Sequence, residues 1–317
     1  MRVAVLDDYQ NVALEIADWS RFGPEISVDV FTDHLEFGPE LVARLEPYDI
    51  ICSMRERTPF PRELLAQLPR LRLLVTTGRG NAAIDLDAAN NLGITVSSTT
   101  SPGHATAELT MTLMLALARS IAAEHASVRT GGWQVHVGRD LHGATLGVIG
   151  LGRLGAQVAA LATAFGMSVI AWSVNLTQER CEEVGVQLVS KETLLRTADF
   201  VTIHLRLSDR TRGLVGASEL AMMKPDAYVI NTSRGGIVDE EALMTALHND
   251  AIGGAALDVY TTEPLPTHHP LRSTPRLLLT PHIGYVTRET YDIFYNETVD
   301  AIAAYLAGAP IRLLTDD

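Results

Sequence analysis

Cysteine, long apolar runs and clustered positive charge are all scarce in this sequence. Two cysteines, Cys52 and Cys181, occur in 317 residues and have no metal-ligand spacing, which excludes a disulfide framework and predicts buried thiols. The longest apolar runs, such as residues 114–118, fall far short of the about 20 residues that a membrane-spanning helix needs. The N-terminus reads directly as a strand rather than as a signal peptide. We therefore expect a cytoplasmic protein.

The charge balance is acidic, with 25 Lys and Arg against 38 Asp and Glu and a formal net charge of −13 at pH 7. Nucleic acids and anionic membranes bind through concentrated Lys and Arg, so neither is expected as a partner. Individual arginines must then hold any anionic substrate. A content of 47% hydrophobic and 20% charged residues is typical of a globular protein, and the length allows two domains. No metal site is expected.

Short β-rich runs alternate with helical segments along the whole chain, a pattern that predicts parallel sheets. The first series of predicted strands is 3–6, 28–31, 50–52, 73–76 and 94–96, and the second is 145–149, 168–172, 200–204, 227–231, 254–257 and 277–279. We therefore predict an α/β protein with two doubly wound, Rossmann-like parallel sheets.

Between the two series, residues 105–123 are apolar on nearly every face of a helix. Ser101 is the predicted N-cap of this helix and Pro102 its predicted first residue. Such a helix must be buried, either inside the protein or in a subunit interface, and the pattern does not separate these alternatives. Residues 287–306 predict a further helix near the end of the sequence.

A glycine fingerprint, Gly150-Leu151-Gly152-Arg153-Leu154-Gly155, lies between a predicted strand and a helical pattern at 156–165. Strand, tight turn and helix are the context that dinucleotide binding requires. Gly150 permits the turn, Gly152 lets the backbone approach a pyrophosphate, and Gly155 lets helix and strand pack closely. The N–H groups of the first helical turn can bind phosphate. The second series is therefore the predicted cofactor domain, and the first is left to contribute substrate contacts.

Three side chains after the fingerprint have the chemistry that hydride transfer at a 2-keto acid requires. His282 is the candidate proton donor and acceptor, because histidine titrates near neutral pH. Glu263 would hold the other ring nitrogen and stabilise the imidazolium. Arg234 offers a planar fork of donors for the substrate carboxylate. Each also has a plain structural explanation. His282 could be a hydrogen-bonded polar residue, Glu263 a solvated carboxylate, and Arg234 the cap of a turn.

Four segments in this order, residues 146–155, 231–239, 257–264 and 280–284, resemble the motifs of the D-isomer-specific 2-hydroxyacid dehydrogenases. The resemblance covers essentially the whole chain and assigns the same roles to the three side chains above. It implies a nicotinamide dinucleotide-binding domain over residues 99–285 and a discontinuous substrate domain over residues 1–98 and 286–317. It also implies a homodimer joined through the cofactor domains.

The cofactor preference turns on Ser173, which follows the second strand of the cofactor domain. NAD enzymes of this fold usually place Asp or Glu there to bind the ribose hydroxyls, so the repulsion that would exclude a 2′-phosphate is missing. Arg206 follows His204 and Leu205, at a position where the family generally has proline, and it either approaches the adenine end or faces solvent. His204 is itself a predicted cofactor contact. We predict NADP(H), with NAD(H) as the alternative. Further predicted cofactor contacts are Arg153, Leu154, Thr211, Thr232, Gly284 and Asp258, the last at the family position that hydrogen-bonds the nicotinamide carboxamide.

The turn Gly78-Arg79-Gly80 offers backbone N–H groups that can bind a substrate carboxylate. The family has the same Gly-x-Gly core, but a small apolar or acidic residue is usual where this chain has Arg79. Arg55 matches the position that helps hold a phosphate in phosphoglycerate dehydrogenases. We hypothesise that Arg55, Arg57 or Arg79 binds a second anionic group, with a surface salt bridge as the alternative. Glyoxylate, hydroxypyruvate and phosphohydroxypyruvate all stay open as substrates.

Two other functions fit this fold. Formate dehydrogenases share the fold and the histidine, but they carry glutamine at the position of Glu263, which argues against them. A nucleotide-sensing dimeric binding protein, like the corepressors with this fold, is compatible with an intact triad. Turnover of a 2-keto acid distinguishes an enzyme from such a sensor.

Overall fold

The computed structural model describes residues 1–315. Within them, twelve strands form two parallel sheets. The strands are β1 Arg2–Val5, β2 Ser27–Val30, β3 Ile50–Ser53, β4 Leu73–Thr76, β5 Thr95–Ser98, β6 Thr145–Ile149, β7 Ser168–Trp172, β8 Gln187–Leu188, β9 Phe200–Ile203, β10 Tyr228–Asn231, β11 Gly254–Leu257 and β12 Leu277–Leu279. The first sheet has the order β2-β1-β3-β4-β5 and the second β12-β11-β10-β9-β6-β7-β8. The prediction of two doubly wound sheets is confirmed.

Helices connect successive strands, as parallel pairing requires. In the described residues they are α1 Ala13–Ile16, α2 Pro39–Leu45, α3 Arg62–Leu65, α4 Leu86–Asn91, α5 Ala105–Ala118, α6 Ile121–Arg129, α7 Arg153–Ala164, α8 Gln178–Val184, α9 Lys191–Thr197, α10 Ala217–Met222, α11 Glu240–His248 and α12 Arg288–Leu306.

The chain packs as two compact units, and each contains one sheet. The first unit is Met1–Pro102 together with the described residues from Val286 onward, and the second is Gly103–Tyr285. Residues 316 and 317, which end the predicted substrate domain, lie outside the described residues. The first unit is discontinuous, because α12 packs against β4 and β5. Its assignment to the substrate stays a prediction.

Both sheets are covered on two faces, which explains why their strands read as almost unbroken apolar runs. In the first unit, buried side chains of α2, α3 and α4 pack on one face of the sheet, and α12 packs on strands of the same sheet with Phe294, Val299 and Ile302 buried. In the second unit, α5 and α7 contribute to one apolar core and α9, α10 and α11 to the other. Cys52 and Cys181 are buried free thiols, as predicted.

The second sheet reverses its strand order between the neighbours β6 and β9. Loops that follow the carboxyl ends of strands on either side of such a reversal border a crevice, and this is where doubly wound sheets bind ligands. The glycine fingerprint follows β6 directly. The fold therefore places the fingerprint at the preferred position for a cofactor.

The helix between the two strand series differs from the prediction. Ser101 and Pro102 lie in a loop rather than at a helix start, and α5 begins at Ala105 with His104 as its N-cap. The backbone of Ser120 is left-handed, with φ 51°, so the helical hydrogen bonding stops and α6 starts a new axis. α6 has no buried residue within one chain. The prediction of one continuous helix over 105–123 is therefore wrong, whereas burial of its second part in a subunit interface stays a prediction.

Among the described residues, no single helix has the length and apolar character to cross a membrane. Only α5 and α6 taken together meet that test, and the two are bent by 62° at their break.

Candidate active site

The glycine fingerprint forms a tight turn between β6 and α7. Gly150 has φ +98°, and a Cβ at this position would lie 2.6 Å from the carbonyl oxygen of His204. A Cβ at Gly155 would overlap the carbonyl oxygen of Gly150 and approach Val148 Cγ1 to 3.3 Å. Both positions therefore accept only glycine without rearrangement, one for its backbone conformation and one for the close packing of helix on strand.

The N-terminus of α7 fits the pyrophosphate of a dinucleotide. A Cβ at Gly152 would meet no atom within 4 Å, so the space above the turn is not filled by protein. Within the described chain, no side chain caps α7, which leaves the amides of its first turn for another acceptor. Arg153 is exposed, and its guanidinium lies against Gly103. Leu154 is half-buried beside it.

The loop after β9 contains three of the predicted cofactor residues. His204 Nε2 shares a hydrogen bond of 2.9 Å with Thr202 Oγ1, and burial lowers the pKa of His204 to about 4, so its ring is neutral at physiological pH. Thr211 Oγ1 accepts the Ser208 N–H at 2.8 Å and donates to the carbonyl oxygen of Arg206 at 2.7 Å. These bonds close the turn from which the exposed side chain of Arg206 projects.

The loop after β7 carries Ser173, which is half-buried. The following helix brings a guanidinium to the fingerprint, because Arg180 Nε donates to the carbonyl oxygen of Leu151 at 3.4 Å. Arg180 Nη1 also pairs with Glu183 at 2.9 Å. Arg180 is not among the residues predicted from the sequence. The local feature that points to it is its position in the first turn of the helix after β7.

Asp258 joins the loops after β11 and β12. Its side chain is 1% exposed, and its oxygens accept the Thr280 hydroxyl at 2.7 Å, the Ile283 N–H at 2.8 Å and the Gly284 N–H at 2.9 Å. Burial raises the pKa of this carboxyl. The Gly284 carbonyl accepts the Thr106 hydroxyl at 2.9 Å, which ties the same loop to α5.

Another predicted cofactor residue, Thr232, is also held to α5. Its Oγ1 lies 2.8 Å from Thr110 Oγ1, and its side chain is buried. Together with the Thr106 bond, this contact fixes two loops at the carboxyl edge of the sheet against one helix.

The three candidate catalytic residues follow three neighbouring strands. Arg234 comes after β10, Glu263 after β11 and His282 after β12, and these strands are adjacent in the order β12-β11-β10. Because the carboxyl ends of parallel strands share one edge of the sheet, the fold brings residues that are far apart in sequence to the same edge.

His282 and Glu263 form a hydrogen-bonded pair. His282 Nδ1 lies 2.5 Å from Glu263 Oε2, and it is the donor because a carboxylate only accepts. Glu263 Oε1 accepts the N–H of Tyr260 at 2.8 Å. The imidazole is 20% exposed, so Nε2 can reach a ligand. His282 also has a left-handed φ of 53°, a backbone conformation that costs energy in non-glycine residues and recurs at functional sites.

Arg234 leaves a turn that its neighbours fix. The Asn231 side chain donates to the carbonyl oxygen of Arg234 at 2.9 Å and accepts the Ser233 N–H at 3.0 Å. Arg234 Nη1 donates to the carbonyl oxygen of Ser233 at 2.7 Å. The guanidinium is therefore oriented by its own turn, and its half-buried side chain has further donors.

The predicted substrate residues of the first unit form a separate cluster after β3 and β4. Arg55 Nη1 donates to the carbonyl oxygen of Thr77 at 3.1 Å and covers Gly78. The Gly78 N–H donates to Thr99 Oγ1 at 2.8 Å, so the amides of Arg79 and Gly80 are the ones that remain for a ligand.

The three arginines of this cluster are held to different degrees. Arg57 Nη1 donates to the carbonyl oxygen of Asp7 at 2.8 Å, and its guanidinium lies 4.6 Å from the centre of the Tyr9 ring. Arg55 packs on the glycine turn, as described above. Arg79 is exposed, and within residues 1–315 it has no ion-pair partner. Of the three, Arg79 therefore has the guanidinium that is available to a second anionic group.

Comparisons with known proteins agree with this geometry. Residues 111–284 match the family described as D-isomer specific 2-hydroxyacid dehydrogenase, NAD binding domain. The glyoxylate reductase of Aeropyrum pernix is 43% identical over 240 residues, which cover 72% of this chain and 71% of that protein. The D-3-phosphoglycerate dehydrogenase of Synechocystis sp. is 37% identical over 314 residues, 98% of this chain but 55% of that protein. This chain thus spans about half the length of the phosphoglycerate dehydrogenases it matches.

Solved structures give the same result. The phosphoglycerate oxidoreductase from Vibrio cholerae O395 superposes with a TM-score of 0.91 and 35% sequence identity, over 98% of this chain and 100% of that one. The two parallel sheets are thus the architecture of a known group of oxidoreductases.

Proposed function

This chain belongs to the D-isomer specific 2-hydroxyacid dehydrogenase family, and we propose that it transfers a hydride between a nicotinamide cofactor and C2 of a small 2-keto acid. The observation that carries the proposal is the hydrogen bond between His282 Nδ1 and Glu263 Oε2. It lies at the carboxyl edge of the sheet that also holds the glycine fingerprint. When bound, the cofactor supplies or accepts the hydride.

The side chains of the pair move and stabilise the proton. In reduction, His282 Nε2–H donates its proton to the carbonyl oxygen of the substrate while the hydride adds to C2, and a 2-hydroxy acid results. In oxidation, the neutral Nε2 accepts the hydroxyl proton as the hydride leaves C2. Glu263 stabilises the imidazolium in both directions. Arg234 binds the substrate carboxylate and polarises the carbonyl oxygen.

For the cofactor, we propose that the turn from Gly150 to Gly155 and the first amides of α7 hold the pyrophosphate. Asp258 fixes the loops beside the nicotinamide, and Thr232 and Gly284 lie on those loops. Ser173 in place of an acidic residue supports NADP(H), and Arg206 supplies an exposed positive charge for a 2′-phosphate. A tighter Kd for NADH than for NADPH would contradict this preference.

For the substrate, we propose a 2-keto acid with a second anionic group. Arg79 supports this, because an exposed guanidinium without an ion-pair partner among residues 1–315 projects from the turn predicted to bind substrate. Arg55, which follows β3, lies against the same turn, but its Nε is 3.6 Å from Glu56 Oε2, so this salt bridge offsets its charge. Phosphohydroxypyruvate should therefore be a better substrate than pyruvate.

We also propose a homodimer joined through the cofactor units. α6 has no buried residue in a single chain, and a helix of nine residues is marginal without packing. Trp133 and Val137, in the segment after α6, are 74% and 101% exposed. A second copy of the chain would cover these apolar side chains, which a monomeric protein rarely leaves exposed together.

The test is the loss of reduced-nicotinamide absorbance when the purified chain is given NADH or NADPH with glyoxylate, hydroxypyruvate, phosphohydroxypyruvate or pyruvate. We expect turnover that His282→Ala removes. Arg79→Gln should lower kcat/KM for phosphohydroxypyruvate by about 12-fold to 160-fold, since a hydrogen bond to a charged group contributes about 1.5–3 kcal/mol. Its kcat/KM for pyruvate should stay unchanged.

Arg72→Gln is the matched control, because Arg72 is equally exposed but lies at the opposite end of β4. Equal kcat/KM for phosphohydroxypyruvate and pyruvate in the wild-type chain would refute the second anionic group. Tight nucleotide binding without turnover of any of the four acids would favour a nucleotide-sensing protein.

A further inference from the structure

A second carboxylate holds the loop that carries Glu263. Glu240 is the first residue of α11, and its Oε1 accepts the Thr261 N–H at 2.6 Å. The preceding amide, Tyr260 N–H, donates to Glu263 Oε1 at 2.8 Å. Two successive amides of one loop are therefore bound by carboxylates from different elements. A charge-assisted bond of this length is roughly twice as strong as a neutral one.

The same loop also packs against the turn that follows Arg234. A Cβ at Gly235 would overlap the carbonyl group of Tyr260 and the amide nitrogen of Thr261. This turn leads into α11, whose N-cap Asp239 accepts the backbone N–H groups of residues 241 and 242 at 3.1 Å each. Glu240 thus lies on a fixed helix start that connects the turn of Arg234 to the loop of Glu263.

The other oxygen of Glu240 faces a histidine. His269 Nδ1 accepts the Leu271 N–H at 3.3 Å, so a neutral His269 carries its proton on Nε2. That nitrogen lies 3.9 Å from Glu240 Oε2. This separation is too long for a hydrogen bond, so the bond that orients the carboxylate, which is only 13% exposed, is the one from the Thr261 N–H.

Glu240 borders a cleft of about 490 Å³ rather than the apolar core, together with Arg212, Met244 and Thr262. Water can enter the space left by a shorter side chain at such a polar and open position. Truncation of Glu240 should therefore leave the chain folded, so that variants at this position can be purified and assayed.

We propose that Glu240 is a positioning residue for hydride transfer, a role that rests on the proposed function. By holding the Thr261 amide, Glu240 fixes the loop so that the Glu263 carboxylate keeps its bond to His282. A displacement of about 1 Å in a catalytic group can cost about 10²-fold in rate. Glu240 itself binds the Thr261 amide, whereas His282 is bound by Glu263, so Glu240 acts through the loop.

The experiment compares Glu240→Ala, Glu240→Gln and Glu241→Ala. Glu241 is the matched control, because it lies in the same helical turn, is exposed and has the same interaction with the helix dipole. Glu240→Ala should lower kcat by about tenfold to a hundredfold with the Kd of the reduced cofactor unchanged. Glu240→Gln keeps an acceptor oxygen and should recover most of the activity. Glu241→Ala should behave as wild type.

Hydrogen exchange of the peptide that spans residues 260–263, followed by mass spectrometry, reports the loop itself. We expect faster exchange in Glu240→Ala and wild-type exchange in the other two variants. Equal kcat in Glu240→Ala and Glu241→Ala would overturn the proposal, whatever the exchange shows. A Glu240→Gln variant as slow as Glu240→Ala would also overturn it, because glutamine keeps an acceptor oxygen for the Thr261 N–H. Absence of turnover in the wild type would refute the proposed function instead, and the exchange rates alone would then decide whether Glu240 holds the loop.

Discussion

The carboxylate of Glu263 has two oxygens, and the structure uses each of them once. Oε1 accepts the Tyr260 N–H at 2.8 Å and Oε2 accepts from His282 Nδ1 at 2.5 Å. In Glu263→Gln the side chain has the same shape but only one acceptor. When the amide oxygen keeps the bond to the N–H of the buried Tyr260, the NH₂ group faces Nδ1, and the hydrogen bond from the protonated ring to a charged acceptor is lost.

The size of the effect follows from the loss of this bond. A hydrogen bond to a charged group contributes about 1.5–3 kcal/mol, and a tenfold change in rate corresponds to about 1.36 kcal/mol. Glu263→Gln should therefore lower kcat/KM by about 12-fold to 160-fold. The loss should be the same in both directions, because the equilibrium constant of the reaction fixes the ratio of the two kcat/KM values when the cofactor affinities are unchanged.

The assay measures kcat/KM in both directions at saturating cofactor, together with the Kd of the cofactor. Glu241→Gln serves as the control, because it removes the same charge from an exposed position of the same unit. Wild-type kcat/KM in both directions for Glu263→Gln would refute the assignment of Glu263 as the partner of the catalytic histidine.

Three further predictions test other parts of the molecule. Gly155→Ala should lower both Tm and nucleotide affinity, because its Cβ would overlap the Gly150 carbonyl. Gly152→Ala, whose Cβ would meet no atom within 4 Å, should keep the wild-type Tm and weaken nucleotide binding only. Equal Tm values for the two variants would contradict this. Burial alone would raise the pKa of Glu219, but hydrogen bonds, the largest from Lys191, lower it to about 2 from an ordinary 4.5. Its stabilisation should thus be complete above pH 4.5 and vanish as the pH falls towards 2, so that the urea midpoints of wild type and Glu219→Gln differ at neutral pH and converge in acid; a constant difference would refute it. Trp133→Ser should shift the chain towards monomer in sedimentation, and an unchanged monomer fraction would exclude that surface from the dimer.

The strands were predictable because each lies in a sheet covered on both faces, so that nearly every side chain is apolar. β8 was missed for the opposite reason: Gln187–Leu188 has two residues at the edge of the second sheet, too few to form a pattern. The break at Ser120 was missed because nothing in residues 105–123 marks it. Serine is an ordinary residue in helices, and its left-handed backbone here leaves no trace in apolar periodicity.

The candidate site shows the same division. Gly150, Gly155 and His282 stand in local motifs, so the sequence alone points to them. The bond from Glu240 to Thr261 joins residues 21 positions apart, and the only local signal at Glu240 is that an acidic residue suits the start of a helix. Contacts through space between loops of neighbouring strands become visible only when the strand order is known.

The discontinuity of the first unit has a consequence for synthesis on the ribosome. Residues 1–102 emerge before the continuous unit Gly103–Tyr285, but α12, which covers strands β4 and β5 of their sheet, emerges after that unit. The continuous unit can complete its core in the meantime. During translation the first sheet therefore keeps an apolar surface exposed until α12 has been made, and the first unit completes its core after the second.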